Sequence, residues 1–145
     1  MLTDGRGQAQ MGVSNMEMNE PLLYGDLTQK IIDAAFDVHH TLGTGLSEKV
    51  YQNALTVKLQ ELGLTAEHQK LVPVYLSNQK VGEQIVDLLV DDRVIVETKA
   101  VDRLMKSHEA QLMGYLKDTR FQLGILINFG AQVQFKRFIF TTQNK

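Results

Sequence analysis

Between Val86 and Lys99 the chain reads VDLLVDDRVIVETK, two β-branched apolar runs on either side of Asp91-Asp92-Arg93, each interrupted by one acidic residue. Apolar runs of this length flanking a cluster of turn formers predict a hairpin, and near-continuous hydrophobicity marks strands covered on both faces. A three-residue loop pairs Val90 with Val94. Counting back along both strands then sets Asp87 opposite Glu97, and directly opposed residues hold their Cβ atoms about 4.5–5.5 Å apart. Lys99 lies two residues further on the same face, about 6.6 Å along the strand. Two carboxylates so close repel, and one takes up a proton unless a cation stands between them. On a wet hairpin face such charges would be ordinary. Flanked by Leu88, Leu89, Val94, Ile95 and Val96 they occupy a central position and need partners.

The chain around the hairpin divides by its hydrophobic period. Residues 1–23 show none and predict a flexible leader, with residues 24–145 as a single domain. Ile31, Ile32, Ala35, Val38 and Leu42 recur at helical spacing, with Asp26 and Gln29 as an N-cap pair and Gly43 and Gly45 as the stop. Ser47 caps a second predicted helix whose apolar face is Val50, Tyr51, Ala54, Leu55, Val57, Leu59 and Leu62, ending at Gly63. Leu71–Leu76, a turn at Ser77–Lys80, Ile85–Val90 and Val94–Val96 read as three antiparallel strands. Lys106–Lys117 returns to helical spacing, Gln122–Asn128 is a short apolar run of a strand buried on both faces, and Gln132–Phe140 alternates as an edge strand. The order predicts an α/β fold in which a mixed sheet is flanked by helices.

The chain has 145 residues and no cysteine, which excludes thiolate metal sites, disulfides and a cysteine nucleophile and leaves oxygen or imidazole as metal ligands. No apolar run is long enough to span a bilayer, and a cytoplasmic protein with no membrane partner is the expectation. The net charge of −2 conceals a division. Residues 1–98 hold seven Lys/Arg against fourteen Asp/Glu, and residues 99–145 hold eight against three. An acidic cluster beside a basic surface suits a metal-assisted reaction on a polyanion.

A divalent cation removes the conflict between Asp87 and Glu97. Mg²⁺ in particular takes one or two carboxylates together with waters and substrate phosphate oxygens. Lys99 is then the positive group that orients a water or offsets transition-state charge. Gln111 and Tyr115, four residues apart, share a helix face that can reach the site or simply pack. Gly45, Glu48 and Tyr51 form Gly-x-x-Glu-x-x-Tyr at the start of the second helix, and Glu48 becomes a third carboxylate if it points at the sheet. His39, His40 and His108 sit at helix ends and read as dipole or capping partners.

The stretches VHHTLGTGLSEKVYQNAL, VDLLVDDRVIVETKAV, HEAQLMGYL and GILINFG resemble, in this order, the GxxExxY protein family, a branch of the PD-(D/E)XK nuclease-like superfamily. The resemblance runs from about Asp26 to Phe140. It implies a restriction-endonuclease-like core, with Asp87 as the PD aspartate, Glu97 and Lys99 as the (D/E)XK pair, Glu48 as the helix carboxylate, and Gln111 with Tyr115 as a QxxxY motif. Val86 stands where the name-giving proline would be, a change without consequence for ligation. The implied function is a divalent-metal-dependent nuclease that hydrolyses DNA or RNA, with DNA ahead of RNA. Mg²⁺ or Mn²⁺ would be held by Asp87, Glu97, the Thr98 carbonyl and Glu48, with Tyr51, Gln111 and Tyr115 in support. Arg103, Lys106, Lys117, Arg120, Lys136 and Arg137 are the candidate phosphate contacts. The alternative is a nuclease-like nucleic-acid or protein-binding module without robust catalysis; under either reading a homo-oligomer or a protein complex is the expected assembly. A two-carboxylate glycosidase would leave Lys99 without a role.

Overall fold

The structure, a computed structural model, describes residues 23–141. The leader expected over residues 1–23 lies outside them except for Leu23, whose carbonyl accepts a bond from Arg137 Nη2 at 2.6 Å. Eight elements follow one another: α1 (Gly25–Leu42), α2 (Glu48–Glu61), β1 (Ala66–Leu76), β2 (Gln79–Val90), β3 (Val94–Lys99), α3 (Lys106–Asp118), β4 (Leu123–Phe129) and β5 (Val133–Ile139). The strands form one sheet in the order β1-β2-β3-β4-β5. Its β3–β4 pair, joined through α3, is parallel, and the other neighbours are antiparallel. This is the expected mixed sheet flanked by helices, with β5 at an edge.

The helices cover opposite faces. On one, Ile31, Ile32 and Val38 of α1 and Tyr51, Leu55 and Leu59 of α2 pack with Leu88, Val90, Val94, Val96, Ile125 and Ile127. On the other, Leu112 and Leu116 of α3 pack with Leu89, Ile95 and Leu126. The successive residues Leu88, Leu89 and Val90 thus point alternately into two cores, which is why β2 to β4 lack the polar alternation of a one-sided sheet. Every residue of β4 is buried. Gly124 lets α3 approach, since a Cβ built there would lie 2.7 Å from Leu112 Cδ1.

Several local expectations are corrected. The N-cap of α1 is Tyr24, in a left-handed conformation and without a side-chain cap bond; Asp26 falls in the first turn, where its charge still complements the helix dipole. Gln29 bonds Asp33 instead, at 2.9 Å. Ser47 does cap α2, accepting from the Val50 N–H at 3.3 Å, but the buried stripe is narrower than the apolar pattern: Val50, Val57 and Leu62 are exposed, because α2 packs along one side only. The β1–β2 hairpin is longer than the apolar runs suggested. It closes in the two residues Ser77-Asn78, both at positive φ (50° and 64°), a geometry that matches the right-handed twist of its strands.

Candidate active site

Backbone pairing between β2 and β3 runs Val90↔Val94, Leu89↔Ile95, Leu88↔Val96 and goes no further. At the next position, where the register sets Asp87 against Glu97, side chains replace the ladder. The Asp87 N–H donates to Glu97 Oε2 at 2.8 Å, and the Thr98 N–H donates to Asp87 Oδ2 at 2.9 Å. The Thr98 hydroxyl donates to the same Asp87 oxygen at 3.2 Å. Each acid therefore commits one oxygen to the opposite strand, while no described residue donates to Asp87 Oδ1 or Glu97 Oε1. The pair sits where the β2–β3 ladder ends, each acid three residues from the Val90–Val94 pair that closes the turn.

Glu97 is only 3% exposed. Burial, reinforced by the neighbouring Asp87 charge, pushes its carboxyl up to about 8, against the pull of the Asp87 N–H and of Lys99. Glu48, in the first turn of α2, is raised as well: burial is the main cause, Lys99 opposes it, and the Asp87 charge adds to it. Glu48 is half-buried at the start of α2 and lies within electrostatic reach of Asp87, Glu97 and Lys99. Tyr51 is fully buried one turn on, its ring stacked on Phe129 at 4.8 Å. Its hydroxyl donates to the Gly43 carbonyl and accepts from the Leu46 N–H. Gly45, at φ 95°, gives the intervening loop a turn that L side chains rarely adopt. Tyr51 acts from the core, by fixing the loop that launches Glu48.

From the other face, α3 presents Gln111 and Tyr115. Gln111 Oε1 lies 3.5 Å from Lys99 Nζ, and Gln111 Nε2 donates to the Tyr115 hydroxyl at 3.1 Å. The Tyr115 phenol is raised by burial and by the Glu97 charge. His108 Nδ1 accepts from the Met105 N–H at 3.0 Å, the capping role expected of it. His39 Nε2 bonds the Gly130 carbonyl at 2.9 Å, tying the end of α1 to the β4–β5 turn rather than serving the site.

Gln52, beneath Asp87, is not singled out by the sequence motifs. Gln52 is 2% exposed; its Nε2 donates to Thr98 Oγ1 at 3.2 Å, and its Oε1 accepts from Gln69 Nε2 at 3.0 Å. A signal existed: Gln52 follows Glu48 by four residues and adjoins the buried Tyr51, so a polar group stands on the covered side of α2. Asn128 was also missed. Its amide makes two 2.9 Å bonds with the Val101 backbone and holds the segment that leaves Lys99.

The basic candidates divide. Arg103, Lys106 and Lys117 are exposed and form no ion pair with a described residue. Arg120 is held bidentately by Asp92 at 2.7 and 2.8 Å, and Lys136 is paired with Glu109. Arg137 corrects the expectation: at 1% exposure its guanidinium lies inside the protein, bonded to the Leu23 carbonyl, and is no phosphate contact.

Among the described residues no three His, Asp or Glu side chains form a ready ion cage. The close acidic pair is Asp87–Glu97, with Glu48 at longer range. Two unengaged carboxylate oxygens beside a buried, strained acid are a hard-oxygen donor set suited to a divalent ion that keeps several waters.

Residues 25–138, the span from α1 into β5, match the family model described as the PD-(D/E)XK nuclease superfamily. The crystal structure of SSO0001 superposes with a TM-score of 0.51 at 15% identity, over 65% of this chain and 50% of that one. The chain spans about half the length of that protein, and the likeness is one of fold. No curated protein matches the chain.

Proposed function

The chain belongs to the PD-(D/E)XK nuclease superfamily, and on that premise we propose that it is a divalent-metal-dependent nuclease acting at Asp87, Glu97 and Lys99. The carrying observation is the disposition of the two acids: each has one oxygen fixed by the facing strand and one unengaged, with Glu97 buried and its carboxyl raised to about 8. Nucleases of this superfamily generally use divalent metals, and Mg²⁺ or Mn²⁺ would be held by Asp87 Oδ1, Glu97 Oε1 and the Thr98 carbonyl, with Glu48 joined through water. Bound there, the ion would offset charge on a phosphate oxygen and acidify a water. Burial keeps a proton on Glu97 near neutral pH, so the ion would displace that proton on binding and would be held more tightly as pH rises.

The remaining roles fall to the chain's own groups. Lys99 is the cation that orients the attacking water, steadied by Gln111, which Tyr115 in turn holds. Arg103, Lys106 and Lys117 are the phosphate contacts left once Arg120 is paired with Asp92 at the surface, Lys136 with Glu109, and Arg137 is interior. The Gly45, Glu48 and Tyr51 arrangement supports placement in the GxxExxY branch, since it brings a third carboxylate within electrostatic reach of Asp87 and Glu97.

The test is cleavage of single- and double-stranded DNA and RNA by the purified chain with Mn²⁺ or Mg²⁺. Cleavage should need the ion and fall by about 100-fold or more in Glu97→Ala and Lys99→Ala. Failure on all four substrates overturns the reading. The intramolecular engagement of three basic residues favours one competitor, a nuclease-like binding module. An intact metal site gains thermal stability as RT ln(1 + [L]/Kd) and loses the gain in Asp87→Asn, whereas such a module gains little from either ion.

A further inference from the structure

The polar chain beneath Asp87 has no part in the reading above, and its geometry is specific. Gln69 sits opposite Asp87 in the β1–β2 pair, between His68↔Leu88 and Lys70↔Val86, and it has a φ of 52° within a strand. Such a conformation in a non-glycine residue is held against local preference by its surroundings. The alternation of β2 shifts phase at the same place: Leu88 and Val90 face α1 and α2, yet Val86 joins the α3 core. The left-handed turn brings the Gln69 amide to the α2 side, where it donates to Gln52 Oε1 at 3.0 Å. Gln52 Nε2 then donates to Thr98 Oγ1 at 3.2 Å.

A hydroxyl has one proton to give. With Thr98 Oγ1 accepting from Gln52, that proton is directed to Asp87 Oδ2, 3.2 Å away, which also accepts the Thr98 N–H. Oδ2 is thereby taken by two donors, and Oδ1 is the oxygen Asp87 has left to offer.

We propose that Gln52, oriented by Gln69, is a positioning residue that fixes the Thr98 hydroxyl on Asp87 and so presents Asp87 Oδ1 alone as a one-oxygen ligand. The proposal rests on the metal-site reading above. It assigns to α2 and the strained position in β1 the preorganisation of a carboxylate that neither touches. Groups that orient a ligand in this way commonly change metal affinity by about 10- to 100-fold when removed.

The experiment is a Mn²⁺ titration of the full chain by calorimetry, independent of turnover, on wild type, Gln52→Leu, Thr98→Val, Thr98→Ser and the Gln52→Leu/Thr98→Val pair. Each single loss should weaken Kd by about 10-fold, Thr98→Ser should restore it, and the pair should be no worse than Thr98→Val alone. Additive losses in the pair, or an unchanged Kd in both Gln52→Leu and Thr98→Val, overturn the relay. If Gln52→Leu does not fold, Thr98→Val against Thr98→Ser carries the test, and equal affinities refute it. Hydrogen exchange without metal gives a second reading: Gln52→Leu should speed exchange at the Thr98 amide by about 10-fold or more while the Leu126 amide is unchanged. Unchanged exchange at Thr98 overturns the relay. Absence of Mn²⁺ binding by wild type overturns the metal site instead, and the exchange result then decides the relay by itself.

Discussion

Replacing Glu97 by glutamine isolates the electrostatic burden at this site. In the fold the Glu97 carboxyl is raised from 4.5 to about 8 by burial and by the Asp87 charge, so near neutral pH the folded protein holds a proton there that the unfolded chain has released. The folded state binds more protons throughout that interval, and stability must fall as pH rises through it. At about 1.4 kcal/mol per unit the interval from 4.5 to about 8 corresponds to roughly 4–5 kcal/mol, of which roughly 3 kcal/mol is lost by pH 7. Since Glu97 is 3% exposed, solvent screening removes little of this. Glutamine keeps the shape and can still accept the Asp87 N–H, but it does not ionise. Urea unfolding in EDTA between pH 5 and 9 should therefore give similar stabilities for the two proteins at pH 5 and a gap that widens to roughly 4 kcal/mol in favour of Glu97→Gln by pH 8. Glu48, also raised, adds a slope of the same sign to both curves. Saturating Mn²⁺ should flatten the wild-type curve and leave Glu97→Gln little changed. Parallel metal-free curves, within about 1 kcal/mol across the range, would refute the view that Glu97 is a strained buried acid.

Packing and surface charge allow further checks. Gly124→Ala places a methyl group 2.7 Å from Leu112 Cδ1, and moving α3 off the sheet should destabilise the protein by about 1–3 kcal/mol in chemical denaturation. Arg103→Ala and Lys106→Ala should each weaken nucleic-acid binding and lower the slope of log K against log salt by about one, with little effect on stability. Arg137→Ala should do the opposite, leaving the salt slope unchanged while removing the bond to the Leu23 carbonyl, a loss of roughly 1.5–3 kcal/mol in the unfolding free energy.

Local pattern carried the reading of this chain where neighbours in sequence are also neighbours in space. The loop Asp91-Asp92-Arg93 with its β-branched flanks determined the β2–β3 register, and the register alone put Asp87 across from Glu97. Gln111 and Tyr115 were legible together because four residues make one helical turn. The Asp26 cap and the breadth of the α2 face were misjudged for a different reason. A side chain able to cap does so only if the backbone enters the helix at that residue, and an apolar position is covered only if something packs there.

What the sequence by itself determined is the order of elements and the pairing of the two central acids, since both follow from hydrophobic period and turn length. Only the tertiary structure decided that Arg137 is interior and that Gln69 and Gln52 meet beneath Thr98. Those relations join residues 17, 46 and 114 positions apart. They depend on how α2, the twisted β1–β2 hairpin and β5 dock on a common sheet. No local period encodes that docking, because it is set by the packing of whole faces and by the need of each buried polar group for a partner.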